Sequence, residues 1–234
     1  MTNVIMPPVT KKELFSRLIE IAGHGFYEMP AMRYQGTGAP GLFLEDLLGL
    51  TTGNKDIPDS IGWELKYYNP KTNLITLFHK EPHPPGIMRY MVSKFGWKDK
   101  QNRLSFRHTI FGKSDRFRVV DDAHQIVVRP LVGNGPVPSW PYDDILGAIG
   151  GKLRRLVLVR GERRGQEVRY NRIDYYENLL LTDFTYEVVR GTVAIDFDVR
   201  EMMPGSKGLR NHGTKFRIPP DDVGRLYKKK DRLC

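Results

Sequence analysis

Three charged residues within one short segment, Asp59, Glu64 and Lys66, could together hold a divalent cation and a reactive water molecule. They lie in "PDSIGWELK", where turn residues precede an apolar strand pattern. Side chains alternate along a strand, so Glu64 and Lys66 share a face, and Asp59 can bend toward them from the turn. Mg²⁺ needs only one or two carboxylates besides waters, and the Leu65 carbonyl is a further ligand. Glu45, on a short helix before the turn, is a fourth candidate carboxyl group.

This combination suits the hydrolysis of a phosphodiester bond. The reaction needs a cation on a phosphate oxygen, a deprotonated water held in line, and a stabilised leaving oxygen. A lysine beside the metal orients that water or helps to deprotonate it. The alternative is an ordinary strand-edge pair between Glu64 and Lys66, because D-x4-E-x-K also arises by chance. The apolar residues Ile61, Trp63 and Leu65 favour the catalytic interpretation, since they predict that the opposite face is core.

The charge distribution indicates a polyanionic partner. The formal net charge is +10 and the pI is near 9.6. Residues 80–118 hold ten basic and three acidic side chains, and residues 205–217 hold four basic side chains and no acid. Residues 45–64, in contrast, hold five acids and one lysine. A basic protein with one acidic segment is typical of a nucleic-acid binder that contains a metal site. The alternative is a generic basic protein with solvated faces.

Other sequence features exclude several classes of protein. The single cysteine, Cys234, allows neither a disulfide framework nor a thiolate zinc site within one chain. No apolar run approaches the length of a membrane span, and the N-terminal residues show no signal-peptide layout. We therefore expect no membrane association and a cytoplasmic location.

The periodicity predicts a mixed-sheet α/β or α+β domain with helices on its flanks and two lobes around a cleft. We expect a single domain over 1–234, with a catalytic lobe from 1–100 plus 150–200 and a recognition lobe from 101–149 and 201–234. The strands predicted at 61–68 and 73–80 suggest a hairpin. Residues 103–129 suggest a three-stranded meander, and the C-terminal "GRLYKKK" suggests a final helix.

Four separated motifs resemble one known family. "GAPGLFLEDLLGL", "PDSIGWELK", "NLITLFHKEP" and "GTKFRIP", in that order, are similar to the MvaI/BcnI family of restriction endonucleases. That family belongs with the MutH-type DNA nickase in the PD-(D/E)xK nuclease superfamily. By position, the resemblance implies that Asp59 and Glu64 bind the metal, Lys66 activates water, and Glu45 supports the site.

The resemblance also implies a mode of action. It predicts a restriction-endonuclease-like core and Mg²⁺-dependent cleavage of double-stranded DNA, with Mn²⁺ as a substitute cation. It further predicts a short site of the CC-N-GG type and a monomer that cuts one strand at a time to leave a 5′-phosphate. A cognate DNA methyltransferase is the expected functional companion, whether or not it binds the endonuclease.

Sequence recognition requires groups that reach base edges, beyond phosphate contacts. The ends of two predicted strands supply such groups, which are His79, Lys80, Arg210, Asn211, His212, Lys215 and Arg217. In the family, a histidine like His79 helps to read the centre of the site. Lys215 stands where one branch has a second histidine, so the central base preference stays open. Lys94 and Lys98 are expected to contact phosphates.

Two alternatives stay open at this point. A mismatch-repair nickase of the MutH type would need a partner protein and a hemimethylated site. A basic DNA- or RNA-binding protein without catalysis would retain all its activity after Lys66→Ala.

Overall fold

The computed structural model describes residues 5–50 and 58–234 of the chain. A turn is predicted over residues 51–60, and its residues 51–57 lie outside the described residues. The helices are α1 Lys11–Gly23, α2 Ala39–Leu47, α3 Ile87–Phe95, α4 Tyr142–Lys152 and α5 Leu181–Arg190, with a 3₁₀ helix at Pro220–Leu226. The strands are β1 Phe26–Glu28, β2 Glu64–Tyr68, β3 Ile75–His79, β4 Trp97–Lys98, β5 Leu104–Ile110, β6 Phe117–Asp121, β7 Gln125–Pro130, β8 Ser139–Pro141, β9 Arg155–Arg164, β10 Glu167–Leu179, β11 Ala194–Glu201, β12 Leu209–Asn211, β13 Lys215–Ile218 and β14 Tyr227–Arg232.

The chain divides into two compact units, each built from separated stretches of sequence. The first comprises the residues up to Ile75 with Ile149–Leu180 and Val223–Cys234, and the second comprises Thr76–Ala148 and Leu181–Asp222. These boundaries differ from those of the predicted lobes, since residues 76–100 and 181–200 belong to the second unit. The separate roles of the two lobes stay a prediction.

The first unit is built on a five-stranded sheet. Its strand order is β1, β10, β9, β2, and β14 also pairs with β10. The long strands β9 and β10 form an antiparallel hairpin, whereas β2 runs parallel to β9 with Glu64 opposite Leu156. The apolar run from Leu156 to Val159 is fully buried, as expected of a central strand covered on both faces. This sheet fixes the position of the predicted catalytic strand β2.

Helix α1 covers this sheet with an apolar stripe. The hydroxyl of Thr10 accepts a hydrogen bond from the Glu13 backbone N–H at 3.2 Å, which caps the helix start as its sequence predicts. Leu14 and Leu18 are fully buried in a core that also contains Trp63 and Leu65. The helix and β2 therefore share one hydrophobic core.

The second unit contains two sheets. The larger has the strand order β3, β13, β11, β5, β4, with β12 also on β11, and the smaller has the order β6, β7, β8. The aromatic side chains of Phe106, Trp140, Phe184, Phe197 and Phe216 are buried in this unit. The mixed sheets and flanking helices confirm the predicted α+β class.

Three local predictions are wrong. The strands at 61–68 and 73–80 do not form a hairpin, because β2 pairs with β9 whereas β3 pairs with β13. The predicted meander is divided, since β5 pairs with β11 while β6 and β7 join β8. The predicted C-terminal helix is instead a 3₁₀ helix followed by β14, which completes the first sheet. In each case a partner distant in sequence determined the pairing. Among the described helices, none has both the length and the apolar character needed to cross a membrane.

Candidate active site

A tight turn brings Asp59 back beside the catalytic strand. Ser60 and Trp63 exchange backbone hydrogen bonds across it, at 3.0 and 2.6 Å. The two residues between them have positive φ angles, 47° at Ile61 and 75° at Gly62, as a type I′ turn requires. Ile61 was predicted to be core but is 40% exposed at the turn tip. That prediction is wrong because the strand begins only at Glu64, so the alternation does not extend back to Ile61.

Asp59 is fixed by the strand that it faces. Its Oδ2 accepts a hydrogen bond from the Leu65 backbone N–H at 2.8 Å. The N–H and C=O of one strand residue point to the same side, so the Leu65 carbonyl also points toward this edge of β2. In the described part of the sheet β2 is the last strand, with β9 on its other side. The geometry thus places the Asp59 carboxylate and the Leu65 carbonyl together.

Glu64 is a buried carboxylate held by two lysines. Its side chain is 1% exposed, and its Oε1 lies 2.6 Å from Lys66 Nζ and 3.4 Å from Lys152 Nζ. Its Oε2 is buried, with no hydrogen-bond partner among the described residues. Burial raises the pKa of Glu64, Lys66 opposes the rise, and Asp59 adds to it. This carboxylate is therefore incompletely satisfied without a further cation.

Glu45 belongs to the same electrostatic cluster. It lies on α2, whose Phe43 and Leu44 are buried in the core. Burial raises the pKa of Glu45 to about 7, and the charges of Asp59 and Glu64 add to this rise. The structure thus brings together all four residues that the sequence assigned to catalysis.

These residues fit a divalent cation with oxygen ligands. Within residues 5–50 and 58–234, no group of three or more His, Cys, Asp or Glu side chains is arranged as a metal site. Mg²⁺ does not need such a group, because it keeps several waters and binds one or two carboxylates. The unpartnered Glu64 Oε2 and the clustered carboxylates, which repel one another, favour a cation at this position.

Sequence reasoning missed Lys152. This residue ends α4, directly before β9, and its ammonium group shares Glu64 with Lys66. The only signal was its position at the start of an apolar strand, in "GGKLRRLVLV". That signal becomes informative only when β9 is known to pair with β2 in parallel.

The predicted DNA-reading residues lie in the second unit. His79 ends β3 and is exposed, and the Lys80 backbone N–H donates to the Thr214 carbonyl at 3.0 Å. Lys80 Nζ lies 3.0 Å from Asp144 Oδ1, and His83 Nε2 lies 2.9 Å from Asp144 Oδ2. These two contacts lower the pKa of Asp144. The Lys80 ammonium group thus has Asp144 as a partner and keeps further N–H donors for another acceptor.

The loop between β12 and β13 is held by internal hydrogen bonds. Asn211 donates to Glu81 Oε2 at 2.8 Å and accepts from the Gly213 N–H at 2.9 Å. Gly213 has a φ of 81°, and a Cβ there would meet the His79 ring at 3.0 Å. Only glycine fits this position without strain. The side chain of Asn211 therefore shapes the loop.

The remaining predicted contacts are spread over the second unit. Arg210 and His212 are exposed, and Lys94 and Lys98 are exposed near the end of α3 and on β4. Lys215 Nζ lies 3.6 Å from Asp198 Oδ2, and Arg217 Nη1 lies 3.0 Å from Asp196 Oδ2. Sequence reasoning had not singled out these aspartates.

Comparisons with solved structures indicate the class of protein to which the fold belongs. The fold matches that of a restriction endonuclease: "Restriction endonuclease MvaI-cognate DNA substrate complex" is 20% identical, with a TM-score of 0.78 and full coverage of both chains. "Restriction endonuclease MvaI in the absence of DNA" is also 20% identical, with a TM-score of 0.58 over 98% of this chain and 100% of that chain. No curated protein sequence matches this chain.

The family model for the MvaI/BcnI restriction endonuclease family matches residues 15–227. The chain belongs to this family. It is therefore a type II restriction endonuclease that acts on DNA, and the resemblance inferred from four sequence motifs is confirmed.

Proposed function

We propose that this endonuclease hydrolyses double-stranded DNA at a short CC-N-GG-type site in an Mg²⁺-dependent reaction, with Mn²⁺ as a substitute cation. It acts as a monomer that cuts one strand at a time and leaves a 5′-phosphate. One observation carries the proposal. Lys66 and Lys152 both contact the buried carboxylate of Glu64, and Asp59 is hydrogen-bonded to the strand that holds Glu64.

The ligands proposed for the cation are Asp59, Glu64 and the Leu65 carbonyl. When bound, the cation neutralises a phosphate oxygen and makes the phosphorus more electrophilic. Asp59 is held beside β2 by the Ser60–Trp63 turn and by its hydrogen bond to the Leu65 N–H, and Glu64 is held by Lys66 and Lys152. Glu45 adds a third carboxyl group that is able to hold a proton near neutral pH.

Lys66 is proposed to position the attacking water and to assist its deprotonation. Its ammonium group is held by Glu64 and is half-buried, which limits the number of orientations that it samples. Lys152 is a positioning residue in this proposal, because it acts through the Glu64 carboxylate. Two ammonium groups on one carboxylate fix its rotamer before DNA binds.

Base reading is assigned to the second unit. His79 and the loop 211–214 are proposed to approach the central base pair, with Arg210, Lys215 and Arg217 on the flanking pairs. The choice between a C·G and an A·T centre stays open. Lys80, His212, Lys94 and Lys98 serve DNA binding, the last two through phosphates. A host cytoplasm protected by a cognate methyltransferase is the setting that such an activity requires.

The decisive experiment incubates the purified protein with plasmid DNA and Mg²⁺ and then sequences the ends. We expect cuts at one short motif and a nicked intermediate that precedes the linear product. Asp59→Ala and Lys66→Ala should abolish cleavage while binding largely survives. Lys71→Ala, an exposed lysine after the same strand, is the matched control and should cleave normally.

Cleavage that persists in Lys66→Ala would reject the proposed site. Activity that appears only with a partner protein and hemimethylated DNA would instead identify a MutH-type nickase. Binding without any cleavage by the unmodified protein would identify a basic nucleic-acid-binding protein.

A further inference from the structure

The central strand of the six-stranded sheet has one apolar and one charged face. Along β11, the side chains of Ile195, Phe197 and Val199 are buried in the core. The alternate residues Asp196, Asp198 and Arg200 must then point to the opposite face. The neighbouring strands continue this charged face, which consists of Ser105, Arg107, Thr109, Asp196, Asp198, Arg200, Arg210, Lys215 and Arg217. We call this set the charged face of the sheet.

Asp196, the first aspartate of the charged face, accepts hydrogen bonds from two neighbouring side chains. Asp196 Oδ1 accepts a hydrogen bond from the Thr109 hydroxyl at 2.7 Å, and its Oδ2 accepts from Arg217 Nη1 at 3.0 Å. Asp196 is buried, so both oxygens are committed to these partners. Its effect is to hold the Arg217 guanidinium in one orientation.

Asp198, the second aspartate of the charged face, lies beside two basic side chains and is less buried than Asp196. Asp198 Oδ1 lies 2.9 Å from Arg107 Nε, and its Oδ2 lies 3.6 Å from Lys215 Nζ. The side chains of Asp198 and Arg107 are 28% and 46% exposed. Asp198 Oδ1 is buried, so a ligand reaches this pair through Asp198 Oδ2 and the Arg107 guanidinium. The contact uses only the Nε of Arg107, which leaves the outer edge of its guanidinium for a second acceptor.

The far end of the charged face is strongly cationic. Arg200 lies opposite Arg210 on β12, and its buried Nε has no hydrogen-bond partner among the described residues. Burial lowers the pKa of Arg200, and the charges of Arg103, Arg107 and Arg210 lower it further. This end attracts an anion, so it fixes where a phosphate backbone or a guanine edge would lie.

A partly exposed carboxylate such as Asp198 disfavours a surface that only holds phosphates, because carboxylate and phosphate repel each other. In the major groove, however, the amino groups of cytosine and adenine are hydrogen-bond donors that a carboxylate accepts. An arginine is complementary to the O6 and N7 acceptors of guanine. A carboxylate beside an arginine therefore matches the pattern of acceptors and donor on a G·C pair.

We propose that Asp198 and Arg107 together read one G·C base pair, with Arg107 on guanine O6/N7 and Asp198 on the cytosine amino group. This inference rests on the proposed function, since it names the residues that select part of the recognised site. Asp196 is a positioning residue that presents Arg217 to an adjacent pair. The arginine cluster around Arg200 anchors the duplex at the end of the same face.

The test selects bound duplexes from a library with a randomised centre, using the full chain with Ca²⁺ in place of Mg²⁺. The unmodified protein should enrich a short motif that contains G·C pairs. Asp198→Asn should relax the preference at one pair by between about 5-fold and about 150-fold, while affinity for random DNA stays equal or rises. Arg107→Lys, which removes the planar fork but keeps the charge, should relax the same pair.

Asp122→Asn is the matched control. Asp122 also pairs with an arginine, Arg129 at 2.9 Å, but lies next to the β6–β7 hairpin, outside the charged face. It should leave the motif unchanged. If Asp198→Asn does not fold, Arg107→Lys still tests the same base pair, because Arg107 is largely exposed.

An unchanged motif in both variants, or an equal loss of affinity for all sequences, would overturn the assignment. A library without any enriched motif for the unmodified protein would overturn it as well. Failure of the proposed hydrolysis is separate, because it shows as the absence of plasmid cleavage while motif selection and its relaxation persist.

Discussion

Asp59→Asn should make the metal-free protein more stable while it abolishes activity. The amide oxygen of asparagine can still accept the hydrogen bond from the Leu65 N–H, which the carboxylate now accepts at 2.8 Å. The substitution therefore retains the turn and removes one negative charge. That charge now raises the pKa of both Glu45 and Glu64.

The magnitude follows from the pKa of Glu45, which rises from 4.5 to about 7. A shift of this size corresponds to about 3 kcal/mol between the two protonation states. Burial is the largest cause and Asp59 the second, so the charge of Asp59 accounts for a smaller part of this energy than burial does. Removal of the Asp59 charge also lowers the pKa of Glu64, which adds a similar or smaller stabilisation. We expect Asp59→Asn to raise the free energy of unfolding by about 1–2 kcal/mol at pH 8 in a chelator.

The pH dependence of the free energy of unfolding gives a second test of the same prediction. A carboxyl group whose pKa is raised in the folded state binds more protons than in the unfolded state. Its contribution to stability is therefore complete below pH 4.5 and is lost as the pH rises toward about 7. In Asp59→Asn the pKa of Glu45 falls, so this loss should become smaller.

The assay is urea unfolding with chelator and again with Mg²⁺. The unmodified protein should gain stability from Mg²⁺, by about 2.7 kcal/mol at a hundred times the dissociation constant, and Asp59→Asn should lose most of that gain. Asp122→Asn, which removes an exposed charge, should change stability by no more than about 0.5 kcal/mol. Destabilisation of Asp59→Asn in chelator, or an undiminished gain from Mg²⁺, would refute the reasoning.

Three further outcomes are expected. Ile61→Asn should raise the free energy of unfolding by about 1 kcal/mol, because asparagine tolerates the positive φ at this turn, and thermal unfolding with retained cleavage checks it. Lys152→Met should lower stability in chelator by about 1–3 kcal/mol, since the buried Glu64 loses one of two cations, and Mg²⁺ should restore part of the loss. Lys98→Ala should weaken binding about equally on all sequences and reduce the salt dependence by about one unit, which binding titrations at several salt concentrations measure. A Lys152→Met loss that Mg²⁺ does not reduce, or a Lys98→Ala effect confined to one sequence, would contradict these expectations.

The proposed catalytic cluster could be located from the sequence because its members are local. Glu64 and Lys66 are two positions apart on one strand, so the alternation of side chains alone places them on one face. Asp59 is brought back by a turn of two residues. Glu45 was a candidate from its place on the short helix before the turn, and the family resemblance supported it.

Long-range pairing could not be predicted from the sequence. The hairpin expected between β2 and β3 is absent because β2 pairs in parallel with β9, about ninety residues later. Lys152 was overlooked for the same reason, since it reaches Glu64 only through that pairing. Asp196 and Asp198 were likewise not singled out, because their basic partners lie on β5 and β13.

Three unfavourable features of the first unit lie together at the proposed metal site. Ile61 adopts a positive φ, Glu64 keeps a buried oxygen without a hydrogen bond, and the charge of Asp59 raises the pKa of both Glu45 and Glu64. Each lowers the stability of the metal-free protein, and each lies on the segment that presents Asp59 and Glu64 or beside it. A divalent cation would remove two of these unfavourable features, because it is a partner for Glu64 Oε2 and its positive charge offsets the repulsion among the carboxylates. The same arrangement would be destabilising in a protein that only bound DNA, so its presence argues for hydrolysis over binding alone.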